Sequence, residues 1–178
     1  RRIDAPAGRD VRPTSDRVRE SLFNILDHRD WGDGGRSVVL DAVVLDAFCG
    51  TGALGLEALS RGAAHVTFMD SSRHALAACR ANAAALGENA HCDILQGDAL
   101  HPVRPRTPCT MVLMDPPYRG DLAAPALAAL DAAGWIAAGA VCVVETGAKE
   151  DVQTPEGFEL LDARKYGAAR VTFMRKAA

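Results

Sequence analysis

The chain has 178 residues, 48% of them hydrophobic and 24% charged, which suits one globular domain with a sizeable core. No apolar run reaches the 18 or so residues that a membrane helix needs, so no membrane span is expected. A net charge of −3 excludes a general attraction to nucleic acid; any such contact needs positive charge concentrated locally.

Five cysteines (Cys49, Cys79, Cys92, Cys109 and Cys142) are widely spaced and form no C-x-x-C. That argues against a zinc site and a disulfide framework, fits a reducing cytoplasm, and assigns most of them to the core. The five histidines have no ligand spacing, so no metal is expected.

Positive charge gathers at the start. Residues 1–20 hold six arginines against four acids. Arg12-Pro-Thr-Ser-Asp-Arg17 reads as an extended piece entering a helix, capped by Thr14, Ser15 or Asp16. Val18, Leu22, Ile25 and Leu26 follow helical spacing. Arg12, Thr14, Arg17 and Arg19 are candidate phosphate contacts, since arginines and a hydroxyl at a helix start suit phosphate oxygens. The competing reading is a solvated helix whose arginines pair with Asp16 and Glu20.

Glycines at 32, 34 and 35 predict a loop, and the apolar run from Val38 to Leu45 predicts a first strand ending at Asp46. Gly50, Gly52 and Gly55 then satisfy G-x-G-x-x-G and open a helix over residues 56–61. The triplet alone is shared by several nucleotide folds. Asp46 narrows it, because a carboxylate there repels a pyrophosphate but suits the ammonium of an amino-acid ligand. S-adenosylmethionine (SAM) carries that group with a sulfonium and no phosphate.

A second strand, Ala64–Asp70, ends in an acid at the spacing that grips ribose hydroxyls. An alanine-rich helix over 72–86, a short strand over 91–96 and the acceptor Asp98 follow. Asp98 suits either an adenine amino group or a plain turn. Cys109–Met114 predicts a strand buried on both faces, stopped by the rigid turn Asp115-Pro116-Pro117-Tyr118. Its acceptors suit an exocyclic amine and its ring suits stacking on a base. A helix over 122–133, a fifth strand over 141–145, and two period-2 strands over 158–166 and 170–175 complete the chain.

Strand, glycine loop, two acids and Asp-Pro-Pro-Tyr together resemble a class I SAM-dependent methyltransferase. That resemblance implies a three-layer, Rossmann-like α/β fold, with a mostly parallel seven-stranded sheet and an antiparallel C-terminal hairpin. Residues 12–24 and 45–63 resemble more closely the RsmD family, bacterial enzymes that methylate guanine N2 in 16S ribosomal RNA (rRNA). Cys49-Gly-Thr-Gly stands where that family more often has Ala-Gly-Ser-Gly, which keeps both glycines and a hydroxyl.

The resemblance implies that Asp46, Phe48, Gly50, Thr51 and Gly52 line the SAM pocket, with Asp70, Ser71, Asp98 and Ala99. Asp115, Pro116, Pro117 and Tyr118 would hold the target guanine. Residues 1–30 would form an RNA-engaging arm on a methyltransferase domain of residues 31–178. The implied partner is 16S rRNA or a small-subunit assembly intermediate, met by a cytoplasmic monomer without a metal. Two rivals are a DNA methyltransferase acting on adenine N6 or cytosine N4, and a non-catalytic SAM-fold subunit. Glutamine-N5 protein methyltransferases typically carry Asn in place of Asp115, and a nicotinamide oxidoreductase has only the three glycines in its favour.

Overall fold

The computed structural model describes residues 15–32, 34–118 and 120–178. It contains one seven-stranded sheet in the order β3-β2-β1-β4-β5-β7-β6. The strands are β1 (Val43–Ala47), β2 (His65–Asp70), β3 (Cys92–Gln96), β4 (Cys109–Met114), β5 (Ile136–Gly147), β6 (Phe158–Tyr166) and β7 (Ala169–Lys176). The pairs among the first five are parallel, and β7 runs antiparallel to both β5 and β6. This is the mostly parallel sheet with a terminal hairpin that the sequence predicts.

Helices cover both faces. On one face α1 (Asp16–His28), α2 (Ala53–Ser60) and α3 (Arg73–Ala85) bury Leu22, Phe23, Leu26, Leu54, Leu56, Leu76 and Cys79 in one apolar cluster. On the other, α4 (Ala123–Ala133) places Ala126, Leu127 and Leu130 against Leu45, Val112, Met114 and Val144. Both faces of β4 are therefore dry, which explains its unbroken apolar run.

Local signals set the helix limits. The Ser15 hydroxyl caps α1 by accepting from Val18 N–H at 3.2 Å, a contact worth about 1 kcal/mol. The Ser72 hydroxyl does the same for α3 through Ala75 N–H at 3.1 Å. Two expectations shift. Val38–Leu40 form no strand: the Ser37 hydroxyl accepts from Val39 N–H, Asp41 turns left-handed at φ 61°, and β1 begins only at Val43. β5 starts earlier than its apolar run, because Cys109 pairs in register with Ile136.

The strand order reverses between β1 and β4, since β2 and β3 lie to one side and β4 and β5 to the other. In such sheets the crevice beyond the carboxyl ends at that point is where ligands bind. Asp46 and Asp115 stand on either side of it.

Candidate active site

Four adjacent strands, β2, β1, β4 and β5, carry an acid at or just beyond their carboxyl ends: Asp70, Asp46, Asp115 and Glu145. Strand alternation puts Asp46, Asp70 and Glu145 on the same face as Val44, Phe68 and Val143, beneath α1, α2 and α3. Asp115 lies close enough to Asp46 for the two carboxylates to repel, and Asp70 does likewise. Three sequence-predicted acids are thus one electrostatic unit.

Asp46 is 1% exposed, and its Oδ2 accepts from Gly55 N–H at 2.9 Å. Burial lifts its pKa well above the ordinary 3.8; the Gly55 bond opposes the rise, while Asp115 and Asp70 add to it. Gly55 is needed for closeness: a Cβ there would sit 2.4 Å from Phe68 Cε1 and 2.8 Å from Val66 Cγ1. Gly52 is needed for shape as well, standing at φ 88° with Cys79 Sγ 2.7 Å from where a Cβ would be.

Asp70 holds the loop in place. Its Oδ2 accepts from Gly50 N–H and its Oδ1 from Ser72 N–H, both at 2.9 Å. Each oxygen keeps a further lone pair, because a carboxylate has about four acceptor positions. Phe48, at φ 56°, turns the chain between β1 and the glycines, and Cys49 N–H bonds to Met69 carbonyl. Thr51 is buried, and its carbonyl accepts from Asn82 Nδ2 on α3 at 3.1 Å.

The remaining predicted residues are spread between core and surface. Ser71 is exposed after β2, and Ala99 is buried in the α4-side cluster. Asp98 closes a turn, accepting from Leu100 N–H at 2.9 Å and contacting His101 Nδ1 at 3.1 Å. The Leu100 bond, then His101, holds its carboxyl below the ordinary value. Pro116 is buried, Pro117 exposed, and Asp115 and Tyr118 half-buried. The Tyr118 hydroxyl lies 3.5 Å from Glu145 Oε1.

Glu145, against Tyr118, and Asn82, on the Thr51 carbonyl, touch predicted site residues and were not named from the sequence. Glu145 carried a usable signal, because it is an acid ending an apolar strand just as Asp46 and Asp70 are. Arg12 and Thr14 lie outside the described residues, so their phosphate role has no geometry. Arg17 is exposed, whereas Arg19 pairs with Asp16 at 2.9 Å on its own helix. Among the described residues no cluster of His, Cys, Asp or Glu has the makings of a metal site, and no helix is long and apolar enough to cross a membrane.

The crevice suits a cationic cofactor without phosphate. Buried Asp46, with half-buried Asp115 and Asp70 repelling it, gains from a positive ligand and penalises a negative one. Among the described residues, its own chain neighbours aside, no heavy atom lies within 4 Å of where a Gly50 Cβ would stand.

Several known proteins are similar to this chain. Ribosomal RNA small subunit methyltransferase D of Escherichia coli K12 is 36% identical over 155 residues, 86% of this chain and 73% of that protein. Its namesake in Haemophilus influenzae is 31% identical over 161 residues, 88% of this chain and 79% of that one. The solved structure of yhhF from Escherichia coli superposes with a TM-score of 0.81 at 30% identity, covering 100% of this chain and 93% of that one. Matched over residues 1–175 by the profile of the family described as Conserved hypothetical protein 95, the chain belongs to that family, the RsmD methyltransferases.

Proposed function

We propose that this methyltransferase modifies the exocyclic N2 amine of a guanine in 16S rRNA, using SAM. One observation carries the reading: β1 and β4 pair in parallel with Asp46 beside Leu113, so Asp115, which begins the Asp-Pro-Pro-Tyr turn two residues on, follows the strand next to the one that leads into the glycine loop. An amine held at Asp115 therefore sits beside a cofactor held at Asp46.

Bound there, SAM supplies a methyl group already activated on a sulfonium. Asp46 would hold its ammonium, Asp70 its ribose hydroxyls and Asp98 its adenine amine, with the backbone of Gly50 to Gly52 alongside. Phe48, Thr51, Ser71 and Ala99 shape the walls. The protein's own task is to aim a poor nucleophile, because guanine's amino lone pair is delocalised into the ring. The Asp115 carboxylate and the Pro116 carbonyl accept the two amine hydrogens and favour a pyramidal nitrogen. Pro117 stiffens the turn, and the Tyr118 ring stacks on a base drawn out of its own stack. Such positioning contributes roughly 7–11 kcal/mol in favourable cases. The departing proton goes to Asp115 or to water.

Residues 1–30 engage the RNA, with Arg12, Thr14, Arg17 and Arg19 on phosphates, and residues 31–178 carry the transfer chemistry. The protein works in the cytoplasm as a monomer, on rRNA or on an assembling small subunit. The test is Asp115→Ala: turnover falls at least a hundredfold, about 2.7 kcal/mol, while calorimetry finds SAM affinity within a few-fold of wild type. Wild-type turnover in that variant would refute the role.

A further inference from the structure

Glu145 ends the apolar part of β5 and is only 4% exposed, although a carboxylate taken out of water is costly unless its surroundings compensate. The Tyr118 hydroxyl is 3.5 Å from Glu145 Oε1. Two residues on, Gly147 meets the same ring: a Cβ there would stand 3.3 Å from Tyr118 Cδ2 and 3.8 Å from Cγ and Cε2. The end of β5 thus meets Tyr118 twice, once at the hydroxyl and once along the ring.

The two sides are held differently. Tyr118 lies in the turn after β4, whereas Glu145 and Gly147 pair with Val171 and Ala169 inside the sheet. Neighbouring β4 and β5 hold a fixed parallel register through Met114 and Val144. A loop tyrosine has two side-chain torsions to settle, and a sheet-borne acceptor with a bare backbone shelf settles both.

We propose that Glu145 is a positioning residue for methyl transfer: with the side-chain-free shelf at Gly147, it fixes the plane of the Tyr118 ring on which the target base stacks. The stacked base comes from the function proposed above; the contact between β5 and Tyr118 does not depend on it.

Two measurements on the full chain separate these parts. The first replaces Tyr166 by Phe, leaving Tyr118 as the single tyrosine, and follows its isotope-labelled Cζ by NMR. Glu145→Ala moves that resonance, and Glu145→Gln, which keeps an acceptor, moves it less; an unmoved resonance in both overturns the contact. The second is a double-mutant cycle on under-methylated small subunits. Tyr118→Phe and Glu145→Ala each lower kcat/KM for RNA about tenfold, Glu145→Gln recovers most of the loss, and the double variant loses no more than either single. Affinity for SAM stays within twofold throughout, which also reports an intact fold. Multiplying losses, or SAM affinity falling in step, would overturn the positioning role. If the wild-type protein left guanine N2 unmodified, the substrate reading would fail while the NMR result still judged the contact.

Discussion

At Asp46, burial opposes the charged form most strongly, the Gly55 N–H favours it, and Asp115 and Asp70 oppose it again. The net effect is a folded-state pKa well above the ordinary value of 3.8. Stability from this group is therefore fully present below about pH 3.8 and is lost as pH rises through the folded value. Asp46→Asn keeps an acceptor for Gly55 and removes the penalty. Its cofactor-free form should melt higher at neutral pH, by about 2–4 °C for each kcal/mol relieved, while SAM binding is lost. Calorimetry would also find wild-type affinity for SAM rising with pH through the same range, with a proton released on binding. A lower melting point with SAM binding intact would remove Asp46 from the pocket.

Elements set how near these residues come to one another. α2 leans on β1 and β2 at Gly55, where a methyl group would overlap Phe68 and Val66. Gly55→Ala should lower stability by about 1–3 kcal/mol through overpacking, read as a lower denaturant midpoint. It should also weaken SAM binding, because the helix carries the Gly52 end of the loop. An unchanged midpoint would show that the helix can shift freely. β4 was legible to the residue, from Cys109 to Met114, because an apolar run cut off by two prolines has one reading. Val38–Leu40 misled for the complementary reason: β-branched residues suit a strand, but Ser37 and left-handed Asp41 fold them into a turn. The acids at the tips of β1 and β2 were visible as charges ending apolar runs. Glu145 had the same signature, yet its relation to Tyr118 depends on β5 lying beside β4, which no local pattern states.

Across the whole molecule, strand order converts scattered motifs into one crevice. Asp46 and Asp115 are 69 positions apart in the chain, and the β1–β4 pairing makes them neighbours at the point where the order reverses. α1 belongs to the same body, since Leu22, Phe23 and Leu26 are buried with the strands beneath the glycine loop. Arg17 and Arg19, in the first turn of α1, therefore ride on a helix packed on the sheet face that carries Asp46 and Asp70. The most direct test of the whole account is methyl transfer from labelled SAM to small ribosomal subunits lacking their methylations, with naked rRNA and duplex DNA alongside. Digestion to nucleosides and mass spectrometry should yield N2-methylguanosine from the ribosomal substrate and no methylated base from the duplex. Methyladenine or methylcytosine from the duplex, with the ribosomal substrate unmodified, would contradict it.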